Sequence, residues 1–340
     1  MTTVGTRNLT LADLAKRKDP DGKIAPIVEI LNDDHQTLEY ATFLECNDGT
    51  NHKTTVRTGL PSGTWRQIYG GIQSSKSSTQ QVMDGTGMLE ALPKIDVDLI
   101  DKSTDPKAAL LSEHTPHMEG LKQDVEATLF YGDTSIHPER FTGLHPRYNA
   151  YCRATPDNTK SDYNVIHGGG AGSDNTSIWL ITWGDNACSF IYPKGSKAGL
   201  NYENMGKKLT TAYDASGNPA GDYLAYVSHY KWDVGLTVRD WRSVGRICNI
   251  DMSNLEADSG AADLIDLMIR LSERVKGSGK KMWVMHERVR TMLRLQMRSD
   301  SNVHLTFDTV EGRKVMHFDE VPVVVSDQLL LTESALPQAS

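Results

Sequence analysis

Residues 51–92 limit the possible folds of this chain more than any other stretch. Thr54-Thr55-Val56-Arg57-Thr58 alternates like a strand, and Gln80-Gln81-Val82-Met83 fits as its return partner. Between them lie Gly59-Leu60-Pro61-Ser62-Gly63-Thr64-Trp65-Arg66, then Tyr69-Gly70-Gly71 and Ser74-Ser75-Lys76-Ser77-Ser78. That composition cannot build a core of its own. A loop of such length in a folded protein is usually functional or flexible. Trp65 nonetheless needs burial, which either a partner subunit or the loop's own domain must supply.

The segment before it is also poor in core. Leu9, Leu11, Leu14 and Ala15 give one weak apolar face, stopped by Asp19-Pro20-Asp21-Gly22. Residues 25–46 show no sustained period, so they read as an extended segment lying on a neighbour.

Residues 104–132 read as the clearest helix. Asp105 is placed to cap it, and Pro106 falls at the first helical position, where its missing N–H is harmless. Leu111, His114, Met118, Leu121, Val125 and Leu129 recur at three and four as one apolar stripe, and Gly132 marks the stop. Pro116 implies a kink, or a helix that begins near Thr115.

Residues 133–176 are loop-like. Ser177–Trp183 and Cys188–Tyr192 are apolar runs joined by Gly184-Asp185-Asn186-Ala187, a hairpin signal. Tyr223–Tyr230 and Asp233–Val244 read as a further strand pair anchored by Trp232 and Trp241, with Asn218-Pro219 as the preceding turn. The last third is mixed. It holds a helix over Ala261–Val275, a strand at Met282–Met285, a helix over His286–Met297 and a hairpin of Val303–Phe307 with Lys314–Phe318 about Glu311-Gly312. A strand at Val321–Val325 and a frayed tail after Glu333 close the chain.

Composition excludes several functions. Apolar residues make up 38% and charged residues 24% of 340, which fits a globular chain. No apolar run approaches the roughly 20 residues of a membrane span, and Met1–Arg17 lacks an export signal's apolar core. With 36 Lys and Arg against 44 Asp and Glu, the net charge is −8, the wrong sign for a dedicated nucleic-acid binder. Cys46, Cys152, Cys188 and Cys248 stand far apart and read as free thiols.

Motif by motif, no catalytic, cofactor or metal site emerges. His167-Gly168-Gly169-Gly170 has the form of an oxyanion-hole loop, but no Gly-x-Ser-x-Gly nucleophile elbow accompanies it. His286-Glu287 opens a helix as in zinc proteases, yet position 290 is Arg where the second histidine belongs. His114 and His117 alone are too few for a metal. Lys194-Gly195-Ser196-Lys197-Ala198-Gly199 has the wrong order for a phosphate loop, and Asp263 with Asp266 reads as a solvated helix face.

Five segments taken in order point elsewhere: Thr58–Arg66, Thr128-Leu129-Phe130-Tyr131-Gly132-Asp133, Gly172–Trp179, Phe190–Leu200, and Tyr230-Lys231-Trp232-Asp233 with Val238-Arg239-Asp240-Trp241-Arg242. Over about residues 50–252, and more loosely to the end, they resemble the major capsid proteins of short-tailed phages of the epsilon-fifteen and Bordetella tropism-switching type. The resemblance implies an α+β, Hong Kong 97-type capsid fold. Its parts would be an N-terminal arm (1–50), an extended hairpin loop (51–95) and a peripheral domain with a spine helix at about 106–131 (96–176). Residues 177–250 would give the peripheral sheet and part of the axial domain, and 251–340 the axial domain and C-terminal tail.

The same resemblance implies a structural subunit with no catalytic job, assembling as hexamers and pentamers in the host cytoplasm into an icosahedral head. That head would enclose double-stranded DNA without reading its sequence, and would meet a portal protein and a decoration or cement protein, with no membrane. Leu60, Trp65, Arg66 and Tyr69 are the expected inter-subunit contacts. Some relatives crosslink a lysine to an asparagine of another subunit. Lys76 lies in the loop, but nothing around it reads as a catalytic carboxylate site, so no crosslink is expected. The rival readings are a nanocompartment shell of the same fold and, more distantly, an α/β hydrolase.

Overall fold

The computed structural model describes residues 36–103, 105–152, 159–213, 218–257, 260–299, 305–310 and 313–339. The helix expected around Leu9–Ala15, the segment 25–35 and the turn Glu311-Gly312 lie outside them. In chain order the first elements are α1 (Gln36–Tyr40), β1 (Phe43–Glu45), β2 (Asn51–Gly59), β3 (Ser78–Ala91), β4 (Lys94–Asp96), α2 (Val97–Asp101) and α3 (Pro106–Tyr131). Then come β5 (Val165–His167), β6 (Asn175–Trp183), β7 (Cys188–Tyr192), β8 (Asn201–Tyr213), β9 (Pro219–Val238) and β10 (Val244–Asp251). The chain ends with α4 (Met252–Ala257), α5 (Leu264–Arg274), β11 (Lys280–Met285), α6 (Glu287–Ser299), β12 (Leu305–Val310), β13 (Arg313–Phe318) and β14 (Val321–Val325).

The described chain forms two compact units. The first comprises 88–125 and 199–233. Asp105 caps α3 as its sequence indicates, its Oδ1 accepting from the N–H groups of Lys107 (3.0 Å) and Ala108 (3.2 Å). The helix is continuous through Pro116, so a start near Thr115 is ruled out. The expected apolar stripe needs correction. Within this unit His114, Leu121 and Val125 are buried, as is Glu119, but Leu111 is 62% exposed. His114 packs edge-on against Tyr202 and Tyr230 and lies 3.4 Å from the Ser228 hydroxyl.

Residues 223–244 are not the expected strand pair. Tyr223 and Trp232 lie on one twenty-residue strand, β9, whose partner is β8, from Asn201↔Lys231 to Tyr213↔Pro219. Asp233 and Gly235 do not turn the chain, because pairing to β8 before them and to β7 after them keeps the strand extended. β4 joins the other edge of β9, Lys94 opposite Val227. Gly206, at φ +73, forms a bulge that only a residue without Cβ occupies at no strain.

The second unit comprises 34–87, 126–198 and 234–340. Its central strand is β6, with all nine residues buried. It is paired antiparallel to β10 on one edge and to β11 on the other. β11 continues the sheet to β14, β13 and β12, and β10 continues it to β5. A strand covered on both faces reads as a near-continuous apolar run, as Ile178–Ile181 with Trp183 does here. Ile178 and Leu180 face a core with Trp283, Met268, Leu271, Val289 and Leu293, which packs α5 and α6 onto one face of the sheet. Trp179 packs instead against Phe130 and Tyr148, and Trp183 stacks on Phe190.

Two expectations fail in this unit. β6 and β7 are not a hairpin: both edges of β6 are taken, and only Trp183↔Cys188 links it to β7, in parallel sense. β7 pairs instead with β1 and with the end of β9. The stretch 36–46 therefore packs on its own chain, Phe43 stacking on Phe190 and the Phe190 N–H donating to the Thr42 carbonyl at 2.8 Å. The tail after Glu333 is not frayed. Glu333 N–H donates to Asn175 O, Tyr151 N–H to Pro337 O, and Ala339 N–H to Tyr151 O.

Candidate assembly surface

β2 and β3 form a two-stranded arm in register from Asn51↔Gly85 to Gly59↔Ser78. Residues 60–77 connect them without regular structure, held by Ser75 Oγ donating to Ser62 O (2.7 Å) and Gly70 N–H to Gln67 O (2.9 Å). Of the four expected contact residues, Trp65 and Tyr69 are fully exposed and Leu60 is 81% exposed; the Arg66 guanidinium reaches only the Gly70 carbonyl, at 3.4 Å. Ile68 and Ile72, which the sequence reading passed over, are exposed in the same loop. Trp65 is therefore not folded back onto its own domain. Five large apolar side chains on one loop are more than a monomer's surface normally scatters.

The root of the arm is built stiffly. Asp84 on β3 is buried and accepts from Arg147 Nη2 (2.8 Å) and from the Thr237 hydroxyl on β9 (2.7 Å). Arg147 also donates to the carbonyls of Thr142, Gly143 and Leu236, so its charge is spread over backbone as well as carboxylate. On β2, His52 is buried with its Nε2 2.8 Å from Arg239; burial first, and that guanidinium second, lower its pKa. Gly235 has no room for a Cβ, which would sit 2.5 Å from the Gly85 carbonyl.

A second polar cluster closes the C-terminal segment onto the sheet. Arg246 on β10 is wholly buried and donates to Glu333 Oε2 (2.7 Å), Ser177 Oγ (2.9 Å) and the Tyr148 carbonyl (3.1 Å), with its guanidinium 4.8 Å from the Trp179 ring centroid. Glu333 also accepts from the hydroxyls of Ser177 and Tyr131, both at 2.5 Å. Burial, then the Glu333 charge, drive the Tyr131 pKa far up, and burial followed by Arg246 holds His145 down at about 4. Beyond it, Asn249 at φ +56 grips Leu336 with both amide atoms, 3.1 Å to its carbonyl and 2.8 Å from its N–H. Asparagine tolerates that left-handed backbone because its short side chain bonds locally.

The motifs discounted on sequence have structural work. The Gly168 and Gly170 N–H groups already donate to the carbonyls of Cys248 (2.7 Å) and Asn249 (2.8 Å), so neither is available to an oxyanion. His167 stacks on Tyr151 and lies 3.1 Å from Asn249 Nδ2. His286 caps α6, its Nδ1 accepting from Arg288 N–H. Asp263 is no mere solvated residue: it caps α5 by accepting from Asp266 N–H at 3.1 Å. All four cysteines are free thiols, and burial pushes Cys46 up to about 11 and Cys188 and Cys248 to about 12. Among the described residues, no group of His, Cys, Asp or Glu is placed to hold a metal, and no helix is long and apolar enough to cross a membrane.

The fold recurs in a solved structure. The bacteriophage Epsilon15 structure is 34% identical in sequence and superposes with a TM-score of 0.76, covering 99% of both chains. The bacteriophage JBD30 capsid matches 94% of this chain and 99% of its own, at 10% identity and a TM-score of 0.48. On the Epsilon15 superposition, the class is an α+β phage shell subunit of the Hong Kong 97-type fold. Residues 19–337 match the family model of the major capsid protein GP7, and the chain belongs to that family. It is a major capsid protein, a structural subunit of an icosahedral bacteriophage capsid, and neither the nanocompartment nor the hydrolase reading is favoured. Among proteins of curated function, none matches the chain.

Proposed function

We propose that this subunit, arranged in hexamers and pentamers, builds a head that encloses double-stranded DNA, and that it assembles in the host cytoplasm. A portal protein and a decoration or cement protein complete the particle, and the subunit carries out no catalytic step. In this reading residues 51–95 are the extended loop, α3 is the spine of the peripheral domain, and 251–340 belong to the axial domain. The loop lies across an adjacent subunit, with Leu60, Trp65, Ile68, Tyr69 and Ile72 as its apolar contacts and Arg66 paired to a carboxylate there.

The observation that carries this is the fully exposed Trp65 at the end of an arm whose root is fastened by the buried Asp84 and Arg147. A stiff root with an apolar tip suits reaching a surface outside the chain. Truncating such an aromatic contact commonly costs about 2 kcal/mol or more at an interface, repeated in every copy. Trp65→Ala should therefore yield shells that dissociate at lower temperature, while the unassembled subunit unfolds as wild type. Shells that form and survive heating like wild type would refute the contact.

A further inference from the structure

The net charge of −8 conceals a segregation. Residues 264–299, spanning α5, β11 and α6, hold nine Lys and Arg against three Asp and Glu, a net of +6 that leaves −14 for the rest of the chain. The inner faces of both helices are spoken for: Leu264, Met268 and Leu271 of α5, and Val289, Leu293 and Met297 of α6, are buried in the core. The remaining faces turn outward with Arg270, Arg288 and Arg294 exposed. Arg290 and Arg294 lie four residues apart, about one turn along α6.

Local partners use some of this charge without cancelling it. Arg270 pairs with Asp266 at 2.7 Å, Arg288 approaches Glu256 at 3.8 Å, and Arg274 donates to the Tyr163 carbonyl while stacking over that ring. Surface pairs of this kind contribute little to stability, so six arginines on the two helices of this layer are not explained by holding the fold together.

We infer that the outer face of the α5–α6 layer meets the packaged nucleic acid, through guanidinium contacts to backbone phosphates that read no sequence. The inference rests on the proposal that the shell encloses DNA. Duplex DNA presents one charge per roughly 1.7 Å of its axis, and an acidic surface repels it. In a subunit carrying −14 elsewhere, this layer is where a wall can face DNA without that repulsion. Few phosphates engaged per copy hold the genome near the wall without trapping it.

The test is ultraviolet crosslinking of packaged DNA to protein in intact particles, with the crosslinked peptides mapped by mass spectrometry, on wild type and Arg288→Gln/Arg290→Gln/Arg294→Gln. Crosslinks should concentrate in residues 264–299 and fall several-fold in the variant, whose shells still close. In parallel, the salt dependence of duplex binding by the unassembled subunit should flatten by up to about 2.7 in log–log slope, 0.9 for each of three contacts. Particles that hold DNA but crosslink elsewhere overturn this inference and leave the enclosing role intact. A variant that fails to close shells, with wild-type crosslinks elsewhere, makes the face an interface between copies and also overturns it. Particles without nucleic acid overturn the enclosing role itself.

Discussion

Replacing Glu333 by alanine should remove a large share of the stability of an unassembled subunit. Glu333 is the carboxylate partner of Arg246, whose side chain has no solvent exposure, while that of Glu333 has 4%. The substitution strips one ion pair and the two 2.5 Å hydroxyl contacts from Ser177 and Tyr131, and leaves a guanidinium charged and uncompensated under Trp179. Breaking a buried pair from one side costs about 3–5 kcal/mol, against a whole-domain stability of about 5–15 kcal/mol. With a urea slope of about 3 kcal/mol per molar, the midpoint should fall by roughly 1 M or more. Urea unfolding followed by tryptophan fluorescence reads this directly, because Trp179, Trp183 and Trp283 are buried in the same unit. Removing both charges together, as Arg246→Met with Glu333→Leu, should restore much of the loss, since an apolar pair of similar volume replaces a buried ion pair at little cost. A Glu333→Ala midpoint within about 0.3 M of wild type would mean that the tail is not clamped and that Arg246 is solvated by another route.

Three further outcomes follow from the same geometry. Asp84→Ala orphans the buried contacts of Arg147 and Thr237 and should cost about 3 kcal/mol, seen as earlier proteolysis at the arm root and a lower unfolding midpoint. His145, held at about 4 against an ordinary 6.5, binds its proton less readily folded than unfolded. Its contribution is therefore complete above about pH 6.5 and is lost as pH falls toward 4, by up to about 3 kcal/mol; His145→Gln should flatten that part of the stability–pH curve. Asp263→Ala removes the N-cap of α5 and should cost about 1 kcal/mol, measured by denaturation, whereas a neutral result would return Asp263 to the role of a solvated residue.

What was legible beforehand was local. Asp105-Pro106 carries its own start signal, and α3 begins there; the alternation at Thr54–Thr58 against Gln80–Met83 identifies a paired arm whatever surrounds it. That the Gly- and Ser-rich loop around Trp65 has no core of its own was legible too, but whether Trp65 folds back on its domain was decided only by the structure, which exposes it. The near-continuous apolar run of Ser177–Trp183 marks a buried strand, though not which strands flank it.

The errors share one cause. β8 has mostly exposed residues and no alternation, so only its pairing to β9 makes it a strand. The Gly184–Ala187 turn looks like a hairpin until β10 and β11 occupy both edges of β6. Residues 36–46 and 333–339 show no period that specifies a site for themselves, and they are held by backbone hydrogen bonds offered from elsewhere in the unit, with Phe43 stacked on Phe190 in the first. Arg246 and Glu333 stand 87 residues apart, and nothing in either neighbourhood announces the other. Capping, turn chemistry and hydrophobic period act over a few residues, and so the sequence by itself determined which segments became helices, strands and an uncored arm. Edge pairing and the burial of charge depend on which surfaces meet, and only the tertiary structure decided those.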